Sequence, residues 1–235
     1  MESTIAKLIK LENNPVAVVQ SDSCPEKVLQ FRENQWGCAI AMLAAAAKGK
    51  IAAFTKETTP CLGGRAGLGF EKYPLGWIEN FLSNVGERCE RYKKNPDVAR
   101  EFICGVSNTL IEKLPPRKKY LLFKPLKLTE ETPEVIIFLV NADQLSGLVT
   151  LANYETARHD GAKILFGAGC AQTILYPMSD KNNCFVGLTD PSARKFIDKN
   201  LLAFSVSYEK FLELERVAEE SFLTAAAWQK ISRRI

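Results

Sequence analysis

Most of the signatures that would assign a chemistry are missing from this chain. No two cysteines form a C-x-x-C pair, which excludes the zinc-ribbon, thioredoxin and ferredoxin spacings. Neither G-x-x-x-x-G-K-[ST] nor G-x-G-x-x-G occurs, so the phosphate-loop and dinucleotide fingerprints are absent, and there is no G-x-S-x-G. Histidine is reduced to one residue, His159, in a polar Arg158-His159-Asp160-Gly161 turn. A serine or cysteine hydrolase with a histidine base would depend on it alone; a surface loop is the plainer reading. No apolar run approaches the roughly 18 residues of a membrane span. Met1-Glu2-Ser3-Thr4 is not the basic start of a signal peptide, and no cleavage pattern follows. Charge of one sign is scarce too: 31 Lys and Arg against 27 Asp and Glu leave a net +4. The basic runs Lys93-Lys94 and Arg117-Lys118-Lys119 are short and lack interleaved aromatics, so they read as solvated turns. Neither nucleic acid nor membrane is an expected partner, and the oligomeric state has no signal.

What is present describes a globular protein. At 235 residues, 46% hydrophobic and 25% charged, the chain suffices for one large domain or two small ones. A cytoplasmic location is expected, where seven cysteines stay reduced and act as ligands, nucleophiles or filler rather than disulfides.

In order, residues 4–11 predict a short helix capped by Ser3 or Thr4, and 16–20 a strand. Cys24-Pro25-Glu26 reads as a helix start with proline at its first position. Cys38 precedes the strong helix former 39–47, which Gly49 is placed to end, and its small side chains predict close packing with Ala41, Ala44 and Ala45 covered. Residues 51–55 predict a strand, 76–82 a short helix, and 97–114 a longer one with an apolar stripe at Val98, Phe102, Val106, Leu110 and Leu114, stopped by Pro115-Pro116. The runs 120–123 and 135–140 are continuously apolar, as in strands buried on both faces. A helix from Asn141 to about 154, strands at 163–166, 184–188 and 201–206, a helix first turn at Asp190-Pro191 and a last helix over 208–222 complete the pattern. Without a regular βαβ beat, this predicts a single mixed α/β domain with a mixed central sheet flanked by helices. Its core comprises 120–123, 135–140, 164–166 and the helix after Cys38. A doubly wound parallel sheet is the second choice. Only Pro115-Pro116 would suit a subdomain break.

The chain's most unusual stretch is Thr59-Pro60-Cys61-Leu62-Gly63-Gly64-Arg65-Ala66-Gly67-Leu68-Gly69-Phe70. Four glycines this close together suggest a loop whose backbone approaches something closely or takes positive φ repeatedly. Exposed amides there would cradle an anion or a sulfur. Two further cysteines share such surroundings: Cys38 at a helix start and Cys170 after Gly167-Ala168-Gly169. Free amide donors favour thiolate, and hydrogen bonds to sulfur tune metal and cluster sites. Cys89 and Cys104 read as incidental.

At these residues the chain resembles a prokaryotic family of unknown function, the one numbered 169 and described as ArCR-type. The resemblance runs over nearly the whole chain. It is carried by Pro15-Val16-Ala17-Val18, Cys38, Cys61-x-Gly63-Gly64, Gly67-Leu68-Gly69, Lys124-Pro125-Leu126, Gly169-Cys170-Ala171, Tyr176-Pro177 and Asp190-x-x-Ala193-Arg194. It implies Cys38, Cys61 and Cys170 as the characteristic cysteines and carries no activity with it. At Cys184, where members have a further glycine–cysteine motif, Asn183 replaces the glycine.

Three functions stay open. Cys38, Cys61 and Cys170 could line one pocket that holds an iron–sulfur cluster or a soft metal. Alternatively, an anionic small molecule could lie on the amides of Gly63, Gly64, Gly67 and Gly69 beside Cys61, with Arg65 and Arg194 as counter-charges. Finally, the cysteines could merely pack in an interaction module.

Overall fold

The computed structural model describes residues 1–32, 35–86 and 89–235. The chain starts with α1 (Thr4–Leu8), where the Ser3 hydroxyl caps the helix by accepting from the Ala6 amide. β1 (Val16–Ser21), α2 (Ala39–Ala47) and β2 (Ala52–Phe54) follow. Gly49, at φ +99°, ends α2 as its position predicts. Next comes a helical segment: α3 (Leu62–Gly67), α4 (Trp77–Ser83) and α5 (Pro96–Phe102), which a π turn (Ile103–Ser107) joins to α6 (Asn108–Glu112). β3 (Tyr120–Pro125) and β4 (Val135–Val140) lead to α7 (Ala142–Leu151), which Asn141 and Gln144 start with a reciprocal capping box. β5 (Ala162–Ile164) precedes a second π turn (Ala171–Leu175) running into α8 (Tyr176–Ser179). The chain closes with β6 (Cys184–Gly187), α9 (Pro191–Arg194), β7 (Leu202–Ser207), α10 (Tyr208–Val217) and α11 (Ala226–Ser232).

The strands form one seven-stranded sheet in the order β2-β3-β1-β4-β7-β6-β5. Every neighbouring pair is antiparallel except β5 with β6, so the sheet is mixed and the fold is a mixed α/β domain. β4 shows why its sequence is apolar throughout: all six residues are buried. Ile136, Phe138 and Val140 enter one core, and Val135, Ile137 and Leu139 the other. Helices α1, α7, α10 and α11 cover the first face through Ile5, Leu148, Phe211, Leu214 and Trp228. On the second face Ile40, Leu43 and Ala47 of α2 pack beside Leu68, Ile174 and Met178. Outside that layer, Ala66, Tyr73, Ile78, Leu82, Ala99 and Ile103 form a satellite core among α3, α4 and α5. Among the described residues no helix is long and apolar enough to cross a membrane.

Several expectations need correction. Residues 24–26 start no helix; the segment instead brings Leu29 into a parallel bridge with Ala52, covering the edge of β2. The helical region 97–114 exists but carries a π turn. Its buried line is Ala99, Ile103 and Ser107, while Val98 and Val106 are 41% and 43% exposed. Packing against α4 selects the face, one residue round from the apolar stripe. Ile164, Leu165 and Phe166 are not core, since β5 is an edge strand and Ile164 is 69% exposed. Phe166 instead packs edge-on against Tyr92 and Phe102, with the Lys93 ammonium 4.0 Å from its ring centre. The close packing expected of α2 holds, since Ala39, Ile40, Leu43, Ala46 and Ala47 are buried and Ala41, Ala44 and Ala45 are half-buried rather than exposed. The last predicted helix ends at Val217, and a further helix, α11, follows it.

Candidate functional site

The glycine stretch is a helix, not a loop. Cys61 sits at the cap position of α3, and its sulfur accepts the Gly64 amide at 3.3 Å. The turn before it is held by Thr55 and Thr58, which exchange amide-to-hydroxyl hydrogen bonds, and by the Thr59 hydroxyl donating to the Thr55 carbonyl at 2.7 Å. Cys61 is therefore delivered from the end of β2 by a fixed turn.

Close approach, rather than repeated positive φ, explains the key glycines. A Cβ on Gly67 would lie 2.6 Å from Cys170 Cβ and 2.9 Å from the Ala171 nitrogen, so α3 rests on the backbone at Cys170. A Cβ on Gly169 would lie 2.8 Å from Ala193 Cβ, with Leu188 and Ile40 just beyond. The ends of α2, α9 and the helical stretch that starts at residue 169 thus meet at one point. The Gly169 amide donates to Asp190 Oδ2 at 3.0 Å, while Oδ1 takes the amide and hydroxyl of Ser192. Leu188, buried and at φ +60°, is strained at the turn that brings Asp190 here. A π turn begins directly after Cys170, a feature common at functional positions.

Cys38, at the cap position of α2, and Cys61 are partly buried, whereas Cys170 is 6% exposed; all three thiols are free. Burial pushes the Cys170 thiol well above its ordinary value, and charge on Cys38, Cys61 and Asp190 would push it further. Burial also raises Cys38, with the amides of Ile40 and Ala41 pulling the other way and Cys61 and Asp190 adding to the rise. The expectation that free amides would leave these two as thiolates is therefore corrected, because desolvation outweighs the donors. Cys61 and Asp190 thus act on the charge of Cys38, and all three on that of Cys170. Even so, among the described residues no three His, Cys, Asp or Glu side chains stand as a set that could hold a metal ion.

The other candidates are otherwise engaged. Arg65 donates from Nε to the Thr59 carbonyl at 2.6 Å and faces Glu71. Arg194 donates to the carbonyls of Leu201 and Lys199, closing the turn into β7. The amides of Arg65, Leu68, Gly69 and Phe70 bond within or at the end of α3, and the Gly64 amide goes to Cys61. Gly69 is the one member of the stretch at positive φ, +80°, pressed against the Arg117 guanidinium. His159 is exposed. Cys184 is buried in the opposite core, and Cys104 is exposed.

Two groups near the thiols had no signal as site members. Asp190 announced itself only as a helix cap. Tyr73 lies in an unremarkable Lys72-Tyr73-Pro74 stretch, yet it is 5% exposed, with Cys170, Tyr176, Cys61 and Asp190 all within charge range of its hydroxyl.

The fold is a mixed α/β domain with free thiols at the starts of three of its helical stretches. The chain belongs to the family described as Uncharacterised ArCR, COG2043 (DUF169), whose model matches residues 4–217. No curated protein and no solved structure matches it.

Proposed function

We propose that the protein binds a soft, thiophilic centre, an iron–sulfur cluster or a single soft metal ion, on the thiols of Cys38, Cys61 and Cys170. The observation that carries this reading is their placement. Cys61 and Asp190 bear on the charge of Cys38, and Cys38, Cys61 and Asp190 on that of Cys170, although the three cysteines come from distant parts of the sequence, while Cys184 and Cys104 stand apart. A nucleophilic role fits less well, because burial raises Cys38 and Cys170 and the one histidine is exposed. An anion on the 63–69 amides fits less well again, because the amides of Gly64, Arg65, Leu68 and Gly69 and both arginines already have partners. Ligation tolerates thiols that start protonated, since a bound metal ion displaces the thiol proton to solvent, and uptake should therefore rise with pH. Among the described residues the three thiols do not stand as a closed ligand set, so loading has to bring their sulfurs closer together. Three thiolates leave one position on a four-coordinate ion for a substrate or a partner's ligand. We place the protein in a prokaryotic cytoplasm, which keeps such thiols free.

Anaerobic production tests the proposal. The expected product is coloured and contains iron with acid-labile sulfide, or a bound soft metal, and any one of Cys38→Ser, Cys61→Ser or Cys170→Ser removes most of it. Colourless, metal-free protein after anaerobic reconstitution would contradict the reading.

A further inference from the structure

One end of the sheet is hollow. β4 and β6 run parallel on either side of β7, so Val140 and Leu188 leave the sheet at the end where Leu202 enters it. Among the segments that follow, α7, α9 and the turn into β7, lies a cavity of about 520 Å³, a size typical of small-molecule sites. Its walls are aliphatic: Val140, Leu145, Leu188, Leu201 and Leu202 line it, and no aromatic ring does.

Its polar lining is cationic. Arg194 and Lys199 both face the cavity, no Asp or Glu lines it, and neither cation pairs with a carboxylate among the described residues. The Leu201 and Lys199 carbonyls accept from the two Nη atoms of Arg194, the second at 2.6 Å. They orient the guanidinium without neutralising it, and its further N–H groups stay available. Asn141 spends its Oδ1 on the Gln144 amide, and no described group accepts from its Nδ2. The acids nearest in sequence are engaged elsewhere. Asp143 pairs with Arg234, Asp190 accepts from Gly169 and Ser192, and Asp198 accepts from the Asn200 amide.

We propose that this cavity binds a small carboxylic acid with a branched aliphatic body. The leucines take the body, and the carboxylate lies between Arg194, Lys199 and the Asn141 amide group. A guanidinium fork matches the two oxygens of a carboxylate. A phosphate would turn a third charged oxygen toward aliphatic walls. None of the thiols lines the cavity, so the site does not depend on a metal.

4-Methylpentanoate is the probe, titrated into the full-length protein by calorimetry, with 4-methylpentanamide as its uncharged match and inorganic phosphate as a bare anion. An acid of this size should bind at about millimolar or tighter, from the usual yield per atom. Lys199→Gln, at an exposed residue, should keep the wild-type melting temperature and bind about fivefold more weakly, the most an exposed ion pair is worth. Ala142→Trp fills the cavity from the exposed start of α7 and should abolish binding at an unchanged melting temperature. Cys61→Ser should bind the probe as the wild type does, which keeps this test apart from that of the thiols. A wild type that binds nothing at about ten times the expected concentration would overturn the proposal. So would equal affinity for the amide or for phosphate, or undiminished binding in Ala142→Trp.

Discussion

Cys170 and Cys184 are both buried, free thiols, yet they lie on opposite faces of one sheet and in different company. Burial pushes Cys184 up to about 12, with Lys210 pulling it back and Glu213 and Asp180 adding to the rise, and the residues packed round it are the aliphatic and aromatic core of the first face. Cys170 is raised by burial too, but the charges next to it are Cys38, Cys61 and Asp190. Neither burial nor protonation state marks a site here. What separates the two thiols is which backbones are brought beside them. On the second face, glycines let three helix starts touch; on the first, large side chains fill the equivalent space. Gly147 makes the contrast, because a Cβ there would meet the Trp228 ring at 2.7 Å, a side-chain contact with no thiol in it.

Substitutions on the two faces should separate stability from ligand binding. The largest loss of stability is expected for Phe138→Ala on the first face, which removes a 1% exposed ring packed on Phe204 and Phe211. Its cost should be about 3–5 kcal/mol. Chemical denaturation would measure it, and the folded fraction should keep its full metal content. Gly67→Ala on the second face should cost less, about 1–3 kcal/mol, as overpacking does. It should nevertheless abolish metal uptake, because the new methyl forces α3 and Cys61 away from Cys170. Metal content per folded molecule is the readout, and Gly147→Ala is the control that should lose stability alone.

The same contrast explains what could be read from the sequence. The strands were legible because β1, β3, β4 and β7 are nearly continuous apolar runs, which only a sheet covered on both faces accommodates. The caps at Ser3 and Asp190 were legible because each side chain bonds an amide two or three residues ahead. The state of 61–69 was not legible. Glycine density signals close backbone approach or positive φ equally, and only the partner at Cys170 decides between them. The exposed run at 164–166 misled for a related reason: apolar content does not say whether a strand has one neighbour or two. Tyr73 had no local signal, since its position depends on Asn108, 35 residues away.

Paired alanines make the comparison finer. Cys184→Ala should leave metal content unchanged, whereas Cys170→Ala should remove it, with both variants melting close to the wild type since each loses only a small apolar atom. The smallest effect concerns acid. Burial alone would raise Glu79, but hydrogen bonds from its own amide, Arg100 and the Gly76 amide outweigh it and hold the carboxyl below its ordinary value of 4.5. Its stabilisation of the second-face helical unit is therefore complete above about pH 4.5 and lost as pH falls below that value. Glu79→Gln should lower stability at pH 7 and flatten its dependence between pH 5 and pH 3, roughly the window of a lowered carboxylate. Urea midpoints across that range would check this.

The most direct test of the thiol site is X-ray absorption on protein loaded anaerobically with zinc. The account predicts a first shell with three sulfur atoms at about 2.3 Å, each lost in turn with Cys38→Ser, Cys61→Ser and Cys170→Ser. A shell of oxygen and nitrogen only, or a sulfur shell that survives replacement of all three cysteines, would contradict it.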